Sequence, residues 1–393
     1  MIKRKISILR IILSVITWLV IGFFGFVCFL EFDFFEDFWE LNYLFFIIFN
    51  ISLLLFFVFW NLYKFKFNFL LLLIIPAAFF IITGVLFGIS SYERYTNSIP
   101  KMREVIMAGR ENYLLSLDER PTFIIKDNFP MLDGATTFYP LYGAFLRTVY
   151  QPEKYINFFN GDNRAIYLSR TAGAYDKLLE RKADLIFCFE PSSLQREQFN
   201  EKGLNLKLVP IGIEAFVFFV NIKNKVNNLT VEDIQGIYSG QIKNWKNAGG
   251  SFMSIRPFQR PDSSGSQTIM KTIMGDVPLL TPKGEYVSDI MSKIFVDVAS
   301  YKNFNNAIGY SFLYFSTEMV ENDQIKLLSV NDIFPSRETI KDGTYPFLHN
   351  IYAIFIDDEK KNPNVEPFIE WILSEQGRKL TLKVGYMPLN LPE

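Results

Sequence analysis

Hydrophobic positions are spread unevenly along this chain, and the unevenness divides it in two. Residues 11–30, 43–63 and 69–89 are apolar runs without a charge, each about the 20 residues that a helix needs to cross a bilayer core. After Ser91 no such run recurs. Short β-rich stretches at 122–125, 183–188, 204–209, 215–221 and 352–356 alternate there with segments of helical period. That alternation predicts an α/β fold with largely parallel sheets. Between the two parts, residues 91–120 place Tyr92, Tyr95, Ile99, Met102 and Ile106 at helical spacing, with a break at Pro100, and read as a helical connector.

The basic residues orient the three expected transmembrane helices, because Lys and Arg are retained on the cytoplasmic side. Lys3, Arg4, Lys5 and Arg10 flank the first run, and Lys64 and Lys66 separate the second from the third. The loop between the first two carries Glu31, Asp33, Glu36, Asp37 and Glu40 with no Lys or Arg. Residues 1–90 therefore read as an anchor in the lipid bilayer with a cytoplasmic amino terminus, and everything after Ser91 reads as extracytoplasmic. The expected location is a multi-pass protein of the cell (inner) membrane. A cleaved signal peptide also begins with basic residues, but the first run is too long for one and two more follow.

Composition and charge remove several functional classes. The net charge of −1 supplies no basic stripe for nucleic acid. One histidine and two cysteines leave no zinc-ligand spacing, and Cys28 in an apolar run is not placed to pair with Cys188 in a predicted strand. No cofactor or metal is expected. His349 lacks a nucleophile partner, so no enzyme is expected, and no Gly-Lys-Ser/Thr nucleotide loop is present to supply energy.

Candidate chemistry sits at three hydroxyl-rich helix starts. Arg260, Pro261, Asp262, Ser263, Ser264, Gly265 and Ser266 precede a helical pattern, so backbone N–H groups, hydroxyls and the positive end of a helix dipole meet there. Arg260 adds a forked donor that matches two oxygens of a tetrahedral ion. Asp262 would repel an anion unless the anion carries a proton to donate, as hydrogen phosphate does and sulfate does not. Capping of the helix by Asp262 and Ser263 accounts for the same residues. Thr136 and Thr137 offer a second seat, and Thr171, in the turn 169–173, a third.

At these residues the chain resembles the phosphate-binding component of bacterial phosphate ABC importers. The likeness runs from Pro121 to the end. It rests on DGATTFYP at 133–140, LTVEDIQGIYSGQIKNWKNAGG at 229–250, RPDSSGS at 260–266, AIGY at 307–310 and FIEWILSEQGRKLTLKVGYMPL at 368–389. The resemblance implies an α/β, two-lobed type II periplasmic-binding-protein fold over 121–393, preceded here by three transmembrane helices. Lobe one is expected at about 121–218 and 347–393 and lobe two at about 219–346; the apolar run 216–220 and the stretch 346–356 suit strands crossing between them.

By the same resemblance, Thr136, Thr137 and Thr171 would bind ligand from lobe one, and Arg260, Asp262, Ser264, Gly265 and Ser266 from lobe two. The implied ligand is phosphate or a related oxyanion, and the implied partners are ABC permease and ATPase subunits. Two departures stand out: Cys188, Phe189, Glu190 and Pro191 replace a segment that usually carries an acidic or hydroxyl residue, and Glu214 stands where a small residue is common. Glu190 either takes the acidic role or is a loop charge. The multi-span anchor is also unusual for the family. It motivates a second reading, an oxyanion sensor or surface interaction protein not coupled to transport.

Overall fold

The computed structural model describes residues 101–102, 114–150, 165–289, 291–299 and 305–390. The three expected spans lie outside the described residues, and among those described no helix is long and apolar enough to cross a membrane.

The fold is organised around one strand. Strands β1 (Leu132–Gly134) and β2 (Leu185–Cys188) lead to β3 (Leu206–Asn221), which at 16 residues is far longer than the usual strand of about 5–6. It is long because it serves two sheets. Its first part pairs with β7 (Leu348–Ile356), in register from Leu206↔Ile356 to Ala215↔Leu348. From Phe216 onward it pairs instead with β5 (Ala307–Phe312) and β6 (Ile325–Leu327). The residues from Ala215 to Val220 are fully buried, which is why that stretch is apolar on both faces.

Among the described residues the continuous sheet has the order β1–β2–β7–β3–β5–β4, where β4 is Arg256–Pro257, and β6 and β8 (Met387–Pro388) also pair with β3. The expectation of largely parallel sheets is not met. Only β1–β2 and β4–β5 run parallel within it, and every pairing of β3 or β7 is antiparallel. β3 runs through both sheets and β7 returns against its first part, so each lies antiparallel to its neighbours. The two segments read as separate strands at 204–209 and 215–221 are one strand, continued through a bulge at Pro210–Gly212 opposite Ile351 and Tyr352. A proline is tolerated there because a bulge releases its missing N–H from the ladder.

Helices cover both sheets. In lobe one, α1 (Tyr139–Val149), α2 (Arg170–Leu179) and α3 (Ser193–Glu201) are joined by α7 (Val365–Leu373) and α8 (Glu375–Val384). Lobe two carries α4 (Val231–Ser239), α5 (Gly265–Met274) and α6 (Met291–Ala299). Capping boxes start α3 at Ser192 and Gln195 and α4 at Thr230 and Asp233. The core of lobe one is largely aromatic: Tyr142 stacks on Phe187 at 5.3 Å, and Phe145 meets Trp371 edge-on at 6.2 Å. Each such ring, fully buried, contributes roughly 1.5–3 kcal/mol. In lobe two Phe219 of β3 stacks on Phe295 of α6 at 4.4 Å.

One further expectation changes. The connector, read as helical over 91–120, contains in its described part a strand, Lys101–Met102, antiparallel to Val320–Glu321, and residues 114–120 form no helix. Helices α7 and α8 meet at Ser374. Ser374 Oγ accepts from the Gly377 N–H, and a β-carbon on Gly377 would stand 2.2 Å from the carbonyl oxygen of Ile372. Glycine is thus required by the tight corner.

Gly377→Ala is therefore expected to cost about 2 kcal/mol or more and to lower the melting temperature of the full chain by several degrees. Thermal denaturation checks it, and an unchanged midpoint would mean the α7–α8 corner opens freely.

Candidate functional site

The first seat is built behind its hydroxyls. Asp133, at the middle of β1, is fully buried, and its Oδ1 accepts from the N–H of Gly134 at 2.8 Å and of Ser169 at 2.9 Å. One carboxylate thus ties the first helix start to the third. Burial pushes its pKa up, and the two N–H groups and Lys177 oppose that rise. Residues Thr136–Phe138 make a 3₁₀ turn that runs directly into α1, with Pro140 in its first turn. Thr136 is half-buried. Thr137 is 2% exposed; its carbonyl accepts from the Tyr386 hydroxyl, and its Oγ1 has no hydrogen-bond partner among the described residues.

At the third seat α2 begins at Arg170, within the stretch 169–173 read as a turn. Ser169 Oγ accepts from Lys177 Nζ at 2.6 Å, and Arg170 holds a left-handed φ of +63°. Such a φ is costly for a side chain larger than hydrogen.

The second seat is the most ordered. The Arg260 N–H donates to Tyr310 Oη at 2.9 Å and Gln267 Oε1 at 3.1 Å, while Gln267 Nε2 donates to Gln259 Oε1 at 3.0 Å. Ser264 caps α5, accepting from the Gln267 N–H at 3.2 Å, and its Oγ lies 3.4 Å from Ser266 Oγ. The Arg260 side chain is anchored by Nη1 to the Ser288 carbonyl at 2.8 Å; the residue is 7% exposed, and its Nε has no partner among the described residues. Burial draws its pKa down to about 10, so it stays a cation at neutral pH.

These seats meet around one residue that the sequence reading treated only as a departure. Phe189, held by a 2.7 Å bond from Tyr175 Oη to its carbonyl, packs 4.7 Å from the Phe138 ring and stacks at 4.4 Å on Phe312 of β5. A β-carbon placed on Gly265 would lie 3.6 Å from Phe189 Cδ2 and 3.2 Å from Thr171 Oγ1. Lobe one and the start of α5 are therefore in contact, with Thr171, Gly265 and the turn at Thr137 brought round a common aromatic floor. Asp262 is not brought in: its side chain is 80% exposed and pairs with Lys271 Nζ at 2.9 Å. Glu190 is likewise a loop charge, bonded to Arg196 Nη2 at 2.9 Å and Tyr352 Oη at 3.1 Å.

At the lobe crossing, Glu214 and His349 are cross-strand partners. Burial pushes Glu214 up to about 8, although the N–H groups of Ala215, Tyr314 and Leu313 favour its charged form. His349, between the rings of Phe189 and Phe216, is held by burial at about 4.

Comparison with known proteins follows the same geometry. The family described as a PBP superfamily domain matches residues 133–376, well over half of the chain. The chain belongs to the PBP superfamily. Within it the likeness is to PstS-like, type II periplasmic binding proteins. The phosphate-binding protein PstS of Borreliella burgdorferi is 27% identical over 177 residues, covering 44% of this chain and 63% of that protein. Protein SphX of Synechococcus elongatus is 23% identical over 270 residues, 65% of this chain and 76% of its own length. This PBP superfamily member thus spans under two thirds of the first of these relatives. Among solved structures, a putative phosphate ABC transporter substrate-binding protein with bound phosphate from Clostridium perfringens is 22% identical with a TM-score of 0.51, covering 66% of this chain and 99% of that one. That likeness shows the fold.

The pair at the lobe crossing sets a pH dependence for this PBP superfamily chain. Glu214, raised from 4.5 to about 8, stabilises the fold below about pH 4.5 and loses that contribution as pH rises through 8. His349, lowered from 6.5 to about 4, contributes above 6.5 and loses it as pH falls through 4. Denaturant titrations are expected to show a stability maximum between, and Glu214→Gln should flatten the alkaline side, by on the order of a few kcal/mol. An unchanged alkaline slope would assign it to other groups.

Proposed function

We propose that residues 121–393 form an extracytoplasmic solute-binding domain that captures phosphate or a similar oxyanion between its two lobes, 121–218 with 347–393 and 219–346. In this reading the three amino-terminal spans tether it to the membrane, and it delivers its ligand to the permease and ATPase subunits of an ABC importer. One observation carries the proposal: a buried guanidinium, Arg260, keeps Nε without a partner among the described residues, in the loop before the capped start of α5, where Thr171 of the other lobe lies 3.2 Å from a β-carbon position on Gly265. A buried cation left partly unsatisfied is costly, and an oxyanion supplies both the charge and the acceptors it lacks. The names of the relatives, phosphate-binding proteins among them, support the same ligand class.

In the proposed mechanism Arg260 grips two oxygens. Ser264, Ser266 and the first N–H groups of α5, with the amide of Gly265, bind from lobe two. Thr136, Thr137 and Thr171 bind from lobe one. Phe189 and Phe312 keep water from the floor, which lowers the local dielectric and strengthens each of these bonds. The protein makes and breaks no covalent bond. Asp262 takes no part, since its carboxylate is engaged by Lys271 outside the seat.

Calorimetry on the full chain in detergent is expected to detect phosphate binding and to show at least about a tenfold loss in Arg260→Ala, the size of a charge-assisted pair. Asp262→Asn is expected to leave the phosphate-to-sulfate affinity ratio unchanged. Equal affinity in wild type and Arg260→Ala would remove the assigned seat. Co-purification of permease subunits from membranes would support delivery to a transporter, and their absence would favour a sensor.

A further inference from the structure

Behind the first seat, one side chain reaches the turn at Thr137 with its hydroxyl and the opposite lobe with its ring. Tyr386 is buried, and its Oη donates to the carbonyl of Thr137, the residue whose own Oγ1 is buried without a hydrogen-bond partner among the described residues. The Tyr386 ring stacks on that of Tyr314 with centroids 4.0 Å apart, and it meets Phe138, next to Thr137, edge-on at 6.0 Å. Tyr314 lies two residues past the end of β5, on the lobe-two side of the proposed division. The end of β5 thus sends two rings to lobe one, Phe312 to Phe189 and Tyr314 to Tyr386, and Phe138 contacts the lobe-one ring of each pair.

The backbone fixes both sides of this contact. Helix α8 ends at Gly385 with a left-handed φ of +116°, and the Tyr386 N–H donates to the Thr381 carbonyl at 3.1 Å. The next residues, Met387–Pro388, pair with β3 at Ile213 and Gly212, beside the lobe crossing. Glycine is required at 385, since a β-carbon there would stand 2.9 Å from Tyr314 Cε2. On the other side, the Tyr314 N–H donates to Glu214 Oε1 at 3.4 Å. Tyr386 is thus pinned between the end of α8, the crossing strand and a ring from lobe two.

We infer that Tyr386 is a positioning residue for the anion seat: its hydroxyl fixes the turn that presents Thr137 Oγ1 to the ligand, and its stack on Tyr314 makes that hold depend on closure of the lobes. The inference rests on the proposed capture of an oxyanion between the lobes. A buried hydroxyl without a partner is costly, and an anion oxygen is an acceptor for it. Tyr386 itself touches no ligand. When the lobes part, the Tyr314 ring leaves Tyr386 and the turn loses that support, so the seat is complete only when the cleft is shut.

Calorimetry and stopped-flow kinetics on the full chain in detergent, with inorganic phosphate as the probe, provide the test. Tyr386→Phe keeps the ring and removes the hydroxyl, and its phosphate affinity is expected to fall about three- to tenfold, the range of one hydrogen bond. In a Thr137→Val background the same substitution should change affinity by less than about twofold, because Tyr386 acts through that side chain. Tyr314→Leu removes the stack and keeps the Tyr386 hydroxyl. It should raise the phosphate dissociation rate at least about threefold and leave the association rate unchanged, since the stack forms as the lobes close. Wild-type affinity in Tyr386→Phe, or an equal loss with and without the Thr137 hydroxyl, would overturn the positioning role. An unchanged dissociation rate in Tyr314→Leu would overturn the dependence on closure. If the wild type binds no phosphate, the capture reading itself fails, and with it this inference. Binding that is lost in Arg260→Ala but kept at wild-type strength in Tyr386→Phe sinks this inference alone.

Discussion

The whole arrangement depends on a strand that belongs to two sheets. Because β3 changes partner between Ala215 and Phe216, and β7 begins at Leu348 beside that point, the lobes are joined through adjacent, hydrogen-bonded backbone rather than through a loose linker. The Phe216 N–H donates to the Phe347 carbonyl at 2.9 Å, which carries the ladder across the junction. Such a joint permits rotation about the strands but resists sliding, since sliding by one residue would turn buried faces outward. Each loop that reaches the cleft is therefore held in a fixed register with its counterpart on the other lobe.

That constraint explains the chemistry at the crossing. A carboxyl and an imidazole sit opposite one another at the junction, and both are driven toward their neutral forms by the loss of water. Neutral groups cost less there than charged ones, so the junction can stay dry while the donors in front of it remain charged. The aromatic floor continues the same logic. Phe189 and Phe312 come from different lobes and stack over one another, so apolar contact and lobe contact are a single interaction.

Much of this was legible in the sequence because it is written in local pattern. The run 215–220 is apolar on both faces, which only a doubly covered strand needs, whereas the cap of α5 falls at Ser264, just past the Asp262 and Ser263 expected to cap it. Sheet direction was not legible, because periodicity reports which face is buried and is silent on the sense of the neighbouring strand. The helical spacing over 91–120 misled in the same way: Lys101 and Met102 pair with residues more than two hundred positions away, and such pairing overrides local preference. At the site, Arg260 and the hydroxyls carried a recognisable order, whereas Asp262 looked like a ligand residue and pairs with Lys271, nine residues on in the helix that follows it. Phe189 was visible as a letter, but its meaning depends on Phe312, which stacks on it from a distant strand.

One contact near the carboxyl end bears on how the fold is completed. The hydroxyl of Tyr386 bonds the carbonyl of Thr137, 249 positions earlier in the chain. The turn that opens α1 is synthesised well before the residue that braces it. A nascent chain thus carries that turn without its support until Tyr386 follows, and the geometry of the first helix start is settled together with the strand and helices that return to lobe one.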